Sequence, residues 1–253
     1  MRRTTLMVTV PVVLGLVLLV LYFLSDVNTA QVELPDTSAE EVTEAPGGAR
    51  AQTVEVTAKN VQAVIDTLVR PEQYHLSLTA ETFWSGGSRV ELIEVWSIPG
   101  ASHLYRTDEN GRSGKHMILT EETYYIWYDG DRTWVEMPRS DIFGAYQQAA
   151  DEFSGIPNYE TILALPSESI TEAGYDSYAL GGAEVSCVYV KTDSGVLEST
   201  ELYYISVETG LLVGARTYEG DTLVYELQAN AAVDTGAVST EIFTLPDGTG
   251  LLE

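Results

Sequence analysis

From Tyr74 to Ala229 the chain is cut at short intervals by glycine-bearing turn signals, and this spacing limits the fold more than any other feature. Ser85-Gly86-Gly87-Ser88, Asn110-Gly111, Asp129-Gly130, Gly181-Gly182, Asp193-Ser194-Gly195, Thr209-Gly210 and Gly220-Asp221 each separate short apolar segments. Such pairs suit hairpin turns. A parallel crossover needs a dozen or more residues, so strands joined this closely must be antiparallel. The segments beginning at Tyr74 and spanning Arg89–Ile98, His103–Thr107, His116–Thr120, Thr123–Tyr128, Thr133–Met137, Ser177–Leu180, Glu184–Lys191, Glu201–Val207, Leu212–Tyr218 and Leu223–Ala229 read as strands.

Several of these segments are apolar on both faces. Tyr124, Ile126 and Tyr128 oppose Tyr125 and Trp127, and Leu202 and Tyr204 oppose Tyr203, Ile205 and Val207. A sheet with one wet face would alternate more cleanly. One long antiparallel sheet that curls is therefore expected, an incomplete barrel with amphipathic helices on its inner face: a mainly β, α+β architecture. Three helices are expected. Val61, Val64, Ile65, Leu68 and Val69 form one stripe after a Thr57 cap, and Pro71 ends it. Ile142, Phe143, Tyr146, Ala149, Ala150 and Phe153 form another after Asp141, closed by Gly155 and Pro157. A shorter one runs from an Asn158 cap through Tyr159, Ile162 and Leu163 to Pro166.

The ends of the sequence differ in character. Arg2 and Arg3 precede the apolar run Leu6–Leu24, which at about 1.5 Å per residue is roughly 28 Å long, close to the ~30 Å bilayer core. The run exceeds a signal-peptide core, and Asn28-Thr29-Ala30 is a poor cleavage site. The expectation is a retained single-pass anchor over residues 1–25, N-terminus inside by the positive-inside rule. Residues 26–53, rich in Asp, Glu, Thr, Ala and Pro, read as an acidic flexible linker, with docking of a basic partner as the alternative use. Residues 54–253 then form one extracytoplasmic domain.

Composition excludes several chemistries. With 13 Lys and Arg against 38 Asp and Glu, the net charge of −25 argues against nucleic acid as a partner. A single cysteine, Cys187, forms no internal disulfide and reads as a small buried hydrophobe in its strand. His75, His103 and His116 share no metal-binding spacing and lack a partner motif, so each reads as a hydrogen-bonded or surface histidine. Asp129-Gly130-Asp131 offers two oxygens to a calcium ion without the rest of a calcium loop, and a hairpin turn explains both aspartates. No phosphate-binding glycine loop or nucleophile elbow occurs, and no cofactor is expected.

The order of elements nevertheless resembles a known group. A helix, Val61-Gln62-Ala63-Val64-Ile65-Asp66-Thr67-Leu68, runs into a strand at Tyr74. A meander follows that includes Gly130-Asp131-Arg132-Thr133-Trp134-Val135-Glu136, then a helical interruption, further hairpins, and the tail Glu241-Ile242-Phe243-Thr244-Leu245-Pro246-Asp247-Gly248. Over roughly residues 55–250 this resembles the LolA/LolB/RseB-like half-barrel superfamily, and within it the germination-linked GerS-like proteins of spore-forming clostridia. The chain departs from GerS in having an apolar anchor in place of a lipidated cysteine. The resemblance implies a non-enzymatic binding module that holds a lipid or acyl chain, a lipoprotein, or a cell-wall enzyme of the spore cortex. A sensor or assembly domain of a membrane complex, and an envelope hydrolase with paired carboxylates, are the alternatives. The resemblance carries over no individual site residue. The strand and helix aromatics Trp96, Tyr124, Tyr128, Trp134, Phe143, Tyr146, Tyr189 and Tyr204 are core candidates that could also line an apolar slot.

Overall fold

A computed structural model describes residues 54–112, 114–138, 156–194 and 199–252. The expected anchor over 1–25, the linker over 26–53 and the helix Asp141–Phe153 lie outside the described residues. Among the described residues, no helix is long and apolar enough to cross a membrane.

Eleven strands form one open, curved antiparallel sheet: β1 Tyr74–Trp84, β2 Gly87–Ile98, β3 Ala101–Asp108, β4 Lys115–Thr120, β5 Thr123–Tyr128, β6 Val135–Pro138, β7 Ile170–Leu180, β8 Ala183–Ser194, β9 Ser199–Ser206, β10 Leu212–Glu219 and β11 Thr222–Ala229. Their spatial order is β6-β5-β4-β3-β2-β1-β11-β10-β9-β8-β7. Two meanders, β1–β6 and β7–β11, are thus joined edge to edge by the first and last strands. The joining register sets Leu78 opposite Ala229 and Ala80 opposite Leu227.

Each expected strand is present, and the largest difference is in β7. It begins at Ile170 rather than at Ser177, because Gly174 and Asp176 resemble breakers in isolation. Gly174 is paired with Tyr189 of β8, and a Cβ there would meet the Tyr189 ring at 2.9 Å. The glycine makes room for a neighbouring ring and leaves the strand intact.

Register divides the sheet into two faces. On the concave face lie Leu76, Leu78, Ile93, Leu104, Met117, Tyr124, Val188, Val190, Ile205 and Leu227, all buried in one core. Helix α1 (Val61–Thr67) packs on β8 and on helix α2 (Tyr159–Leu163). Val61 and Ile65 are fully buried, with Val64 and Leu68 packed beside them. Two details of the α1 expectation are corrected. The Thr57 carbonyl, not its hydroxyl, accepts from the amides of Asn60 and Val61. Val69 is 82% exposed, because the backbone turns extended at Leu68 and leaves the stripe. The α2 cap is as expected: Asn158 Oδ1 accepts from the Thr161 amide at 2.9 Å, and Thr161 Oγ1 accepts from the Asn158 amide at 3.2 Å. Gln62 of α1 then donates from Nε2 to the carbonyls of Ile162, Leu163 and Leu165 at 3.0, 3.2 and 2.9 Å. One exposed-looking glutamine in the sequence thereby ties the two helices together at α2's open carbonyl end.

The convex face of the first meander is covered by the tail that follows β11. Ala101, Ile118 and Trp127 form a second cluster there with Phe243 and Leu245. This explains the two-sided apolar pattern of β5: Tyr124 and Ile126 join the concave core, and Tyr125 and Trp127 meet the tail. The tail is pinned by paired backbone bonds between His75 and Asp234 at 2.8 and 3.0 Å, and by Gln73 Oε1 accepting from the Val238 amide at 3.2 Å. Phe243 is fully buried. Replacing Phe243 with Ala should therefore cost about 3–5 kcal/mol, as for other buried aromatic truncations. Urea denaturation followed by circular dichroism checks this, and a loss within a few tenths of zero would mean the tail does not seal the convex face.

Candidate functional site

The concave face changes character along its strands. At the end where α1 and α2 lie, a slot of about 440 Å³ opens between the helices and the first meander. Its sheet wall is Tyr74 of β1, Val95 of β2, Leu104 of β3 and Leu119 of β4. Ile156 and Tyr159 supply the opposite wall. The volume lies within the range of small-molecule sites, and the lining is mixed, with Ser97, Ser102, Asn158 and Glu160 set among the aliphatic residues.

Asn158 and Glu160 line the helix side of the slot, and Arg70, just beyond α1, is its cation. Its guanidinium lies 3.8 Å over the Tyr159 ring, and its Nη atoms donate to the Ile65 and Leu68 carbonyls at 2.6 and 3.3 Å, capping the end of α1. Its Nε is buried with no hydrogen-bond partner among the described residues. A buried donor left unpaired is costly. Ser97 and Ser102, whose hydroxyls are 3.2 Å apart, add polar atoms to the same wall. Burial pushes the Tyr74 and Tyr159 phenols above their ordinary range, so both stay neutral donors.

The aromatic candidates fall elsewhere. Tyr124 is on the concave face but closed in the core at 1% exposure, and Tyr128, half exposed, lines a charged cleft further along. Trp96 is on the convex face, stacked on His75 at 4.9 Å, and Trp134 packs in the tail-covered cluster. Tyr189 is convex too, donating to Glu172 at 2.7 Å, and Tyr204 meets Tyr178 at 4.7 Å. Phe143 and Tyr146 lie outside the described residues. None of the six described candidates lines the slot. Aromatic content marked core and tail packing; the slot mixes aliphatic strand residues with polar ones, and the signal that could have found it is the arginine directly after an amphipathic helix.

Chemistry on the convex face is structural. All three histidines lie there in one aromatic row beneath the tail. His103 Nδ1 is 2.9 Å from the Ile242 carbonyl, its Nε2 is 3.1 Å from His116 Nδ1, and His116 Nε2 is 2.9 Å from Asp129. Tyr105 donates to the other Asp129 oxygen at 2.8 Å. Burial and the neighbouring His116 hold His103 down to about 4, so His103 is neutral in a row that ends at the Asp129 carboxylate. That carboxylate is itself held low by the His116 hydrogen bond. Asp131 has a different task, accepting from the Tyr128 amide at 3.0 Å to close the β5–β6 turn around Gly130. Cys187 is fully buried and burial pushes its thiol up to about 11, so it packs as an inert side chain.

No family model matches the sequence, and neither does any curated protein. Among solved structures the chain is similar to an uncharacterized conserved protein from Thermus thermophilus, at 8% identity and a TM-score of 0.40, covering 72% of this chain and 85% of that one. It is similar to a LolA superfamily protein from Nitrosomonas europaea, at 9% identity and a TM-score of 0.34, covering 75% and 98%. A domain described as an outer membrane lipoprotein-sorting protein, from Vibrio parahaemolyticus, is similar at 9% identity and a TM-score of 0.30, covering 73% and 94%.

The histidine row makes stability depend on pH with a defined sign. His103 titrates near 4 when folded and near 6.5 when unfolded, so between these values the unfolded chain binds more protons. Stability is then complete above pH 6.5 and is lost as pH falls toward 4, by on the order of 3 kcal/mol in all. Urea midpoints measured across this window should fall less steeply for His103→Asn than for the wild type. Parallel slopes would mean that His103 is not buried by the tail.

Proposed function

We propose that the domain is a non-enzymatic, extracytoplasmic binding module that takes an acyl chain, free or carried on a lipoprotein, into the slot beside Arg70. The observation that carries this reading is a slot of about 440 Å³ in which an aliphatic stretch of sheet wall, Val95, Leu104 and Leu119, shares one opening with the Arg70 guanidinium. An acyl chain meets both: its methylenes bury against Val95, Leu104 and Leu119, and its carbonyl or carboxylate accepts from Arg70. Burial of each methylene contributes about 0.8 kcal/mol. A chain that can be withdrawn again suits a carrier or a holder better than a catalyst. The reading places the apolar run Leu6–Leu24 as a membrane tether that keeps the domain on the outer side of a bacterial cytoplasmic membrane. A cell-wall enzyme or a lipoprotein, as in the GerS-like group, is the partner class that such a tethered module would serve.

Binding of dansyl-undecanoic acid to the full-length protein in detergent tests this. Saturable enhancement of dansyl fluorescence is expected, nearly indifferent to salt in the tail contribution because apolar burial drives it. Leu119→Trp, which fills the slot, should abolish the enhancement, and Arg70→Gln should weaken it by about tenfold, the worth of a charge-assisted hydrogen bond. Enhancement that persists in Leu119→Trp would place the chain elsewhere and overturn the reading.

A further inference from the structure

The sheet is open, and its two outer strands are built differently. β6 is 4 residues long and closes on Pro138, two devices that blunt an edge. β7, at the opposite edge, runs for 11 residues with no lysine or proline among them. Among the described residues no strand pairs with its outer side. Thr171, Glu172, Tyr175, Asp176, Ser177 and Ala179 are all exposed along it.

Register decides which backbone groups face outward. Ser186 of β8 lies opposite Ser177, and its carbonyl accepts from the Val207 amide at 2.9 Å, on the side away from β7. Ser177 and Ser186 are therefore a pair that exchanges no ladder bond, and bonded and unbonded pairs alternate in an antiparallel ladder. Ala173, Tyr175, Ser177 and Ala179 accordingly turn their amides and carbonyls to the outer edge. The Ser177 amide donates instead to the carboxylate of its neighbour Asp176 at 2.8 Å. Tyr175, 44% exposed, lies opposite the concave Val188 and has the small side chains of Ala173 and Ser177 on either side. Glu172 and Asp176 lie on the convex side, opposite Lys191 and Cys187, roughly 13 Å apart along the strand. Tyr189 donates to Glu172 at 2.7 Å. The β7–β8 hairpin carries Glu172, Asp176, Glu184 and Asp193 against Lys191 alone, so its edge is negative.

We propose that β7 accepts an added antiparallel strand from a basic, extended segment of a partner protein. The outward backbone groups of Ala173, Tyr175, Ser177 and Ala179 supply the main-chain bonds, and alternate side chains of the partner supply the selectivity. One face of the added strand sets lysine or arginine beside Glu172 and Asp176; the other sets apolar side chains beside Tyr175. A partner carbonyl that takes the Ser177 amide releases the Asp176 carboxylate to a partner cation. A second copy of this chain is disfavoured, because it would bring the same carboxylates to the edge in a protein of net charge −25. The proposal is independent of acyl binding, since the slot lies against β1–β4 and β7 is the outermost strand of the other meander.

The test is fluorescence anisotropy of a labelled decapeptide alternating lysine and valine, titrated with the full-length protein in nonionic detergent at low ionic strength. Two further peptides are controls: one with glutamate in place of lysine, and the lysine peptide N-methylated at its valines, which keeps the charge and removes the inward amides. Saturable binding of the lysine peptide is expected, at least about tenfold tighter than either control. Ser177→Pro removes an outward amide without touching the β8 ladder, and should weaken binding by at least about tenfold at an unchanged circular dichroism spectrum. Asp176→Lys should do the same through charge, and it decides together with the methylated peptide if Ser177→Pro fails to fold. The slot-filling Leu119→Trp should leave peptide binding unchanged, which separates failure here from failure of the acyl reading. No saturable binding, a methylated or glutamate peptide that binds as tightly as the lysine peptide, or full retention in the folded Ser177→Pro protein overturns the proposal. Light scattering that shows dimers lost in Ser177→Pro, without peptide binding, overturns it in favour of a second copy at this edge.

Discussion

The pairing of the first strand with the last holds everything else in place. β1 and β11 meet at the middle of the sheet, with Thr79 donating to Asn230 at 2.7 Å across a separation of 151 residues. Asn230 in turn donates to Ser77 at 3.0 Å. Contacts of such separation close only after a large loop has lost its freedom, so the seam forms at a high entropic cost and depends on both meanders being ready for it. Once it forms, a six-stranded and a five-stranded meander share one concave face. Neither meander alone would bury the row that runs from Met117 through Leu78 and Leu227 to Val190.

The seam also decides how each face is sealed. Because β1 and β11 are antiparallel, the start of β1 and the end of β11 lie at the same end of the sheet. The segment before β1 therefore enters, and the segment after β11 leaves, at the centre. Helix α1 takes the concave side and reaches β8; the tail takes the convex side and crosses β2 to β5. Between them they cover what a single curved sheet would otherwise expose. The tail's dependence on His103 follows from the same geometry. The Ile242 carbonyl needs a donor on an otherwise apolar face, and His103 supplies it while remaining neutral.

Coverage of the concave face is uneven, and that unevenness creates the two openings. At the helix end, Arg70 is spent on capping α1 and stacking on Tyr159, which props α2 above β1–β4 and leaves the slot between. At the far end, Arg89, Glu91, Arg106, Asp108 and Lys115 replace the apolar residues that fill the middle, so that end stays wet. Strand alternation forces this gradient: on β2 the inward residues read Ser97, Val95, Ile93, Glu91, Arg89, from slot through core to cleft.

The sequence specifies the antiparallel meander, the number of strands and their order along the chain, the α1 stripe and the Asn158 cap, because turn chemistry, period-two alternation and capping act over a few residues. It also determined that both strand faces would be covered, since Tyr124–Tyr128 has no polar side. Only the tertiary structure decided what covers them and where the openings lie. Trp96, Trp134, Tyr189 and Tyr204 are aromatic residues on strands in the sequence, yet register turns all four away from the slot. The half-buried Leu119, the unpaired Arg70 Nε and the place of β7 at the edge of the sheet depend on which strand lies beside which. That follows from the β1–β11 seam, a contact between residues far apart in the chain, and no local pattern encodes it.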